Sequence, residues 1–220
     1  MDPSRRADAP NPQAERAYWD RQAKRYDRAV RWLGGATPRM VVRVAQAAQG
    51  LPRVLEVAAG TGLVTELLAR SAQDIVATDS SSGMVAVLEQ RVAKLALGNV
   101  TVMHADLCDL PPGLGRFDAV VAANVLHLLP DLPAALASLA AALHPGGLLI
   151  APTYAHDQTW TARLASRFLF SLGLPARRRF TAERLCAAIA AAGLEVVHCE
   201  VLPGLLPIAY VEARKRPDLS

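Results

Sequence analysis

Two acidic residues and a pair of glycines have the spacing that a nucleoside-binding site requires. Glu56 closes a short apolar run before the loop Ala58-Ala59-Gly60-Thr61-Gly62, and Asp79 closes a second apolar run 17 residues after Gly62. Glycine lets the backbone of such a loop approach a ligand closely, because it adopts positive φ and has no Cβ. A strand, a glycine turn, a helix and a second strand ending in an acid form the layout that holds a nucleoside, with the acid accepting hydrogen bonds from the ribose hydroxyls.

The same residues favour a cationic nucleoside over a dinucleotide. The third glycine of the dinucleotide fingerprint would fall at Thr65, and the Glu56 carboxylate would repel a pyrophosphate. That carboxylate instead suits a ligand with an ammonium and a sulfonium group. We therefore interpret the cofactor as S-adenosyl-L-methionine. A nicotinamide-dependent oxidoreductase is the alternative that these two residues disfavour.

Composition and charge describe an ordinary globular chain. Its 220 residues suffice for one domain, and 52% of them are hydrophobic. The net charge of +4 comes without a Lys/Arg run interleaved with aromatic residues, so no nucleic-acid partner is expected. The scattered Cys108, Cys186 and Cys199 predict reduced thiols, no metal site and a cytoplasmic protein. Neither a signal peptide nor the ~20 apolar residues of a membrane-spanning helix is recognisable.

The N-terminal part of the chain is predicted to precede the main sheet. Residues 1–12 are polar and rich in proline, which predicts a disordered tail, and residues 13–213 are predicted to form a single domain. Apolar and aromatic residues recur at helical spacing over 13–33. Thr37 is predicted to cap the next helix, with Pro38 at its first position.

From residue 53 onward, segments with the patterns of strands and helices alternate. The predicted strands are 53–58, 74–79, 99–104, 117–122, 147–151, 194–201 and 207–213, and the predicted helices between and after them are 62–71, 81–97, 131–143, 157–173 and 181–192. This order predicts a Rossmann-like α/β fold, a seven-stranded, mostly parallel sheet with one antiparallel strand and helices on both faces. Glu56, Asp79, Asp106 and Asn124 then all fall at the carboxyl edge, where such sheets bind ligands.

Residues 54–62, Val-Leu-Glu-Val-Ala-Ala-Gly-Thr-Gly, carry a family resemblance. They are similar to the first motif of the class I S-adenosylmethionine-dependent methyltransferases, in particular the small-molecule group that resembles the ubiquinone and menaquinone biosynthesis enzymes. Ala58 stands where that motif usually has glycine. The resemblance implies that Asp79 holds the ribose and that the methionine part of the cofactor lies against Glu56, Ala58, Ala59, Gly60 and Gly62.

Further motifs extend the resemblance over residues 14–213. It implies that Met84 packs near the adenine, that Asp106 binds the adenine amino group beside Leu107, and that Asn124 follows the strand lining the cofactor. It also implies that an N-terminal helix closes over the pocket as a lid carrying Tyr18, Trp19 and Tyr26. These motifs indicate the fold and the cofactor and leave the methyl acceptor open.

Catalysis needs a general base only where the acceptor atom carries a proton that it does not lose by itself. His127 follows the fourth strand, and Tyr154 and His156 follow the fifth, so these three residues are the candidates for catalysis or substrate contact. The run Arg177-Arg178-Arg179 is either a contact for an anionic group or a solvated basic turn.

Apolar residues in the last third of the chain either roof the substrate pocket or pack internally. They are Leu164, Phe168, Leu169, Phe170, Leu172 and residues 205–208. A roof of this composition favours a hydrophobic or lipid-like small acceptor. We therefore predict methyl transfer from S-adenosylmethionine to such an acceptor, with a non-catalytic S-adenosylmethionine-binding protein of the same fold as the alternative.

Overall fold

The computed structural model describes residues 35–171 and 178–217, and in the helix Trp160–Ser171 it describes the side chains up to Arg167. The predicted tail over 1–12 and the predicted lid helix over 13–33 lie outside the described residues. Tyr18, Trp19 and Tyr26 therefore stay predictions, as do Leu172 and Arg177.

A single sheet organises the described chain. Its strands are β1 (Arg53–Val57), β2 (Asp74–Asp79), β3 (Val100–His104), β4 (Phe117–Val121), β5 (Leu143–Ile150), β6 (Thr153–Tyr154), β7 (Leu194–Leu202) and β8 (Ile208–Lys215). The order across the sheet is β3-β2-β1-β4-β5-β8, and β8 pairs with both β6 and β7. The pairs from β3 to β5 are parallel, whereas β8 is antiparallel to β5, β6 and β7.

The predicted Rossmann-like α/β fold is confirmed, with one short strand more than expected. The two-residue β6 continues the line of β5 along β8 after an interruption at Pro152, a residue that has no backbone N–H to donate to a ladder. The fifth strand also begins earlier than predicted, at Leu143. Its register against β4 shifts between the pairs Phe117–Leu143 and Ala119–Leu148.

Six α-helices are described, and two of them differ from expectation. They are α1 (Ala36–Ala47), α2 (Thr65–Leu68), α3 (Ser82–Lys94), α4 (Leu132–Ala141), α5 (Trp160–Ser171) and α6 (Ala182–Ala191). The cap predicted at Thr37 is wrong, because α1 begins two residues earlier than predicted, at Ala36 after Gly35. The helix predicted over 62–71 is only four residues long in the structure, because the residues before Thr65 form a loop.

Apolar side chains bury both faces of the sheet. One core joins the sheet to α4 and α6, for example through Leu136 and Ile189. The other joins it to α1, α2 and α3, for example through Val44, Leu68 and Leu88. Helices on both faces leave the carboxyl edge of the parallel strands as the place for a site. No helix among the described residues is long and apolar enough to cross a membrane.

Gly62 sets how closely the loop after β1 packs on α3. Its φ is +85°, and a Cβ there would lie 2.6 Å from the Cδ1 of Leu88, which is fully buried. Gly62→Ala is therefore expected to destabilise the protein by about 2 kcal/mol or more, through backbone strain and overpacking together. Urea unfolding of the purified variant measures this loss.

Gly193 provides the matched control for that substitution. Its φ is +84°, and a Cβ there would meet no atom within 4 Å. Gly193→Ala therefore adds backbone strain alone and is expected to cost about 1 kcal/mol. Equal losses in the two variants would contradict a packing role for Gly62.

Two of the cysteines that are scattered in the sequence meet in the fold. The Sγ atoms of Cys186 on α6 and Cys199 on β7 lie 2.8 Å apart. Burial and this contact raise the pKa of Cys186 to about 12, so its thiol stays protonated at neutral pH. The pairing joins a helix to an edge strand, a contact that spacing along the chain does not show.

Candidate active site

A cavity of about 330 Å³ lies at the carboxyl edge of the parallel strands. Nine of the ten predicted cofactor residues line it, namely Glu56, Ala58, Ala59, Gly60, Asp79, Met84, Asp106, Leu107 and Asn124. Gly62 does not line it, since that residue faces α3. The residues come from the ends of four strands, which the parallel topology brings to one edge.

Glu56 is the deepest charged group of the cavity. It is 2% exposed, and the Thr65 hydroxyl donates a hydrogen bond of 2.6 Å to its Oε2. Burial raises the pKa of Glu56 to about 8; the Thr65 hydrogen bond opposes this rise, and the charge of Asp79 adds to it. The cavity therefore presents an acid that a cationic ligand would ionise. Thr65 was considered in the sequence only as a missing glycine, and its role as the partner of Glu56 emerges in the structure.

Asp79 ends β2 and ties the loop after β1 to the cavity wall. The Gly60 N–H donates to its Oδ2 at 2.8 Å, and the Ser81 N–H donates to its Oδ1 at 2.9 Å. Burial raises the pKa of Asp79, and these backbone hydrogen bonds lower it in part. Each carboxylate oxygen has two lone-pair directions, so both can also accept from a ligand hydroxyl.

The loop between Glu56 and Gly62 has the left-handed backbone that a close ligand approach requires. Ala58 has φ +51° and Gly60 has φ +57°. A Cβ on Gly60 would meet no protein atom within 4 Å, so this position borders open cavity space. The loop therefore leaves room for a ligand at Gly60, whereas Ala58 adopts a conformation that costs an L-residue about 1 kcal/mol.

Hydrogen bonds hold the backbone or side chain of each residue that is predicted to bind the adenine. Met84 is buried at the first turn of α3, where its N–H donates to the Ser81 hydroxyl at 3.1 Å. The Asp106 Oδ1 accepts from the Cys108 N–H at 2.9 Å, and the Leu107 carbonyl accepts from the Ser138 hydroxyl at 2.7 Å. Met84 and Leu107 give this part of the cavity wall an apolar surface, and Asp106 adds one carboxylate.

Asn124 presents a polar atom for which the described residues provide no partner. Its φ is +54°, and its N–H donates to the Pro152 carbonyl at 2.7 Å. Its Oδ1 is buried and accepts no hydrogen bond within the described part of the chain. Buried acceptors are normally satisfied, so this oxygen, in a residue that lines the cavity, indicates a ligand that donates to it.

The three predicted catalytic residues cluster together, but none of them lines the cavity. The ring centroid of His127 lies 5.6 Å from that of Tyr154 and 5.3 Å from that of His156. The His127 Nδ1 is 3.0 Å from the Thr153 hydroxyl. The Tyr154 hydroxyl lies 3.4 Å from that of Thr37, a residue that does line the cavity. Tyr154 is thus the member of the cluster with a contact to the cavity wall.

Burial keeps both histidines neutral. It lowers the pKa of His127 to about 3, with His156 adding to the effect, and it lowers the pKa of His156 to about 4, with Arg179 adding to the effect. Neither ring nitrogen of His156 has a hydrogen-bond partner among the described residues, although its side chain is only 6% exposed. A histidine with so low a pKa is a weak base in this state of the protein and a good hydrogen-bond acceptor.

The loop that follows β4 is held by a residue from the predicted basic turn. The Arg178 Nη2 donates to the Pro130 carbonyl at 2.7 Å, its Nε donates to the Leu129 carbonyl at 3.2 Å, and its backbone N–H donates to the His127 carbonyl at 3.0 Å. The Arg178 side chain donates to these carbonyl oxygens, so it is neither part of a solvated basic turn nor a contact for an anionic group. It braces a segment whose residues 128–130 line the cavity.

Of the two alternatives for the apolar residues of the last third, internal packing holds for Ile208, and neither holds for Leu164 and Leu205. Leu164 is 65% exposed and Leu205 is 61% exposed, and neither lines the cavity. Ile208 is fully buried in the core. The side chains of residues 168–170 lie outside the described part. In the described part of α5, the small residues Ala162 and Ser166 are buried, whereas Leu164 points outward.

Residues 54–147 match the family described as "Methyltransferase domain". The chain carries a methyltransferase domain. This match confirms the family resemblance for that part of the chain, and the family is a class of enzymes that use S-adenosylmethionine. The match spans β1 to β5 and therefore includes every cavity residue that was predicted from the sequence.

Known proteins similar to this chain include enzymes for different acceptors. The chain is 33% identical over 150 residues to a demethylmenaquinone methyltransferase of Thermobifida fusca, over 66% of this chain and 63% of that protein. It is 33% identical over 100 residues to a protein-L-isoaspartate O-methyltransferase of Nitrobacter winogradskyi, over 46% of this chain and 43% of that protein. Several matches of this chain to curated relatives, including the last one, span less than half of the relative's length.

A solved structure has a similar fold. The magnesium protoporphyrin IX methyltransferase of Synechocystis PCC 6803, solved with bound S-adenosylhomocysteine, superposes with a TM-score of 0.73. Its sequence is 20% identical, and the alignment covers 93% of this chain and 100% of that one. At this identity the likeness concerns the fold.

Proposed function

We propose that this protein transfers the methyl group of S-adenosylmethionine to a small, hydrophobic or lipid-like acceptor. The observation that supports this most is the meeting of Glu56, Asp79 and the unpartnered Asn124 Oδ1 in one cavity. The three groups offer an acid for a cation, an acid for ribose hydroxyls and an acceptor for an N–H or O–H donor. These are the polar groups of an amino-acid nucleoside.

The residues of the cavity fit that cofactor. Glu56 and the Asn124 Oδ1 would hold its ammonium end, Asp79 its ribose, and Met84 with Leu107 its adenine. When bound, S-adenosylmethionine supplies an electrophilic methyl group with a good leaving group. The protein's own contribution is to align the acceptor and to exclude water from the transfer site.

The acceptor is proposed to meet the cofactor near Thr37 and Tyr154. Val41, Leu128 and Leu129 line the cavity with apolar surface, and Tyr154 reaches the cavity wall through Thr37. We propose that the Tyr154 hydroxyl contacts the acceptor and that His127 and His156 position the tyrosine ring. Burial raises the pKa of Tyr154, so its hydroxyl remains a hydrogen-bond donor at neutral pH.

Similar proteins support a small-molecule acceptor without naming it. The demethylmenaquinone methyltransferase match covers 66% of this chain, whereas the protein-L-isoaspartate methyltransferase match covers 46%. The non-catalytic alternative keeps the cavity and lacks turnover. Incubation with S-adenosylmethionine and a panel of quinols, phenols and porphyrins, with release of S-adenosylhomocysteine as readout, tests the proposal. Cofactor binding without product on any acceptor would favour the non-catalytic alternative.

The raised pKa of Glu56 predicts a pH dependence of cofactor binding. A cationic ligand binds the ionised carboxylate, so binding at a pH below about 8 must release the Glu56 proton. The affinity for S-adenosylmethionine is therefore expected to rise from pH 6 to pH 8, by up to about tenfold per pH unit. Calorimetry in buffers of different ionisation enthalpy measures both the affinity and the released proton.

Glu56→Gln is the matched control, because it keeps the shape and the Thr65 contact while removing the titrating group. Its binding is expected to be weak at every pH and to release no proton. A wild-type affinity that is flat from pH 6 to pH 8 would contradict the ionisation of Glu56 by the ligand.

Tyr154→Phe tests the proposed acceptor contact. The variant keeps the ring among the histidines and loses the hydroxyl, so we expect kcat/KM for the acceptor to fall about tenfold, the equivalent of one neutral hydrogen bond. The Kd of S-adenosylmethionine should stay unchanged. Full activity of this variant, together with loss of activity in His156→Phe, would indicate that His156, and not Tyr154, contacts the acceptor.

A further inference from the structure

Residues 160–167, the part of α5 whose side chains are described, reverse the usual pattern of a surface helix. Their buried side carries the small residues Ala162 and Ser166, which are 0% and 2% exposed. Their outward side carries Trp160 and Leu164, which are 71% and 65% exposed. A surface helix normally buries its large apolar side chains, whereas this part of the helix exposes Trp160 and Leu164.

Two arginines flank these apolar side chains on the same face. Arg163 and Arg167 follow Trp160 at the i+3 and i+7 positions, and both are exposed. No ion pair joins either guanidinium group to a carboxylate in the part of the chain that the structure describes. The face therefore combines an aromatic residue, an aliphatic residue and two arginines that no described carboxylate pairs with.

Leu205 extends this face across the loop between β7 and β8. Its side chain is 61% exposed and borders one shallow groove together with Trp160 and Leu164. These are the three most exposed large apolar side chains among the described residues. We call Trp160, Arg163, Leu164, Arg167 and Leu205 the docking surface.

The docking surface adjoins the rim of the cavity. The α5 helix follows the carboxyl ends of β5 and β6, and β7 is parallel to β5 because both are antiparallel to β8. The β7–β8 loop therefore lies at the same edge of the sheet. Within it Gly204 packs against the start of α1, where a Cβ would lie 3.1 Å from the Cβ of Ala36. The next residue, Thr37, lines the cavity.

We propose that the docking surface binds an anionic phospholipid bilayer, with the cavity rim facing the lipid. Tryptophan and leucine partition into the interfacial region, and arginine is attracted to anionic headgroups, so the two contributions together give reversible surface binding. A second copy of the chain fits less well, because a symmetric contact between two such faces would bring four arginines together without a described acid to neutralise them. Docking would place the cavity next to the phase in which hydrophobic molecules dissolve.

Co-sedimentation of the full chain with vesicles tests the docking surface. Phosphatidylcholine vesicles containing phosphatidylglycerol are compared with vesicles of phosphatidylcholine alone, in the absence of cofactor and acceptor. We expect binding to the anionic vesicles that weakens with added salt. Leu164→Asp and the pair Arg163→Glu and Arg167→Glu should each lower the partition coefficient about tenfold or more.

The opposite edge of the sheet offers matched control variants. Leu95 lies just after α3 and is 39% exposed, so Leu95→Asp makes the same change away from the docking surface. Arg116 precedes β4 and Arg216 follows the antiparallel β8, and both are exposed, so Arg116→Glu with Arg216→Glu matches the charge reversal. These controls should bind the anionic vesicles as the wild type does.

Three results would overturn the proposal. One is equal binding to neutral and anionic vesicles, another is equal loss in the docking and control variants, and the third is a dimer that Leu164→Asp dissociates. Calorimetry with S-adenosylmethionine keeps this test separate from the proposed function, since Leu164→Asp should bind the cofactor normally. Failure of vesicle binding would thus leave methyl transfer standing, and failure of turnover would leave docking standing.

Discussion

Gly60→Val is expected to abolish S-adenosylmethionine binding while leaving the sheet folded. The residue has φ +57°, where a β-branched side chain is strained, and a Cβ there points into space free of protein atoms beside the cavity. The valine methyl groups would therefore occupy the space that the ligand needs. Calorimetry gives the affinity, and circular dichroism with urea unfolding shows that the fold persists.

Gly193→Val separates backbone strain from the loss of ligand space. Gly193 has φ +84° and equally open surroundings, but it lies after α6, outside the cavity lining. We expect Gly193→Val to lose stability similarly and to bind S-adenosylmethionine normally. A Gly60→Val protein with near wild-type affinity would show that the ligand does not pass this loop.

Asp79→Ala is expected to weaken S-adenosylmethionine binding by about 2 kcal/mol, or roughly 30-fold in Kd, through loss of charge-assisted hydrogen bonds to the ribose. The structure adds a second reason. Asp79 also accepts from the N–H groups of Gly60 and Ser81, so its removal loosens the loop that borders the ligand.

Asp79→Asn distinguishes these two contributions. The amide keeps one oxygen that can accept from the backbone and removes the negative charge, so the loop should stay closer to its native position. We expect this variant to lose less stability than Asp79→Ala, yet to bind S-adenosylmethionine at least tenfold more weakly than the wild type. Unchanged affinity in a folded Asp79→Ala protein would remove the ribose assignment.

Much of the cofactor site follows from the sequence, because its determinants are local. Glu56 and Asp79 each close a short apolar run, and in a parallel sheet the ends of such runs must meet at one edge. The loop between them needs glycine for reasons of backbone geometry that act within a few residues. Nine of the ten predicted cofactor residues therefore line a single cavity.

Other features were decided by contacts between residues that are distant along the chain. Arg178 braces the loop after β4 across 49 residues, and His127 meets Thr153 across 26. Composition alone does not place such partners, since a basic triplet and a histidine after a strand each have several possible neighbours. The three candidates for catalysis, His127, Tyr154 and His156, therefore cluster behind the cavity wall and do not line the cavity.

The outward face of α5 shows most clearly what the tertiary structure alone determined. Its sequence has apolar residues that predict a helix and leave two alternatives for Leu164, a roof over the pocket or internal packing. In the described part of the helix Ala162 and Ser166 are buried instead, because close packing of a helix on its neighbours depends on which side chains fit the gap. Hydrophobic periodicity thus determined that a helix forms here, and packing determined which of its faces meets the solvent.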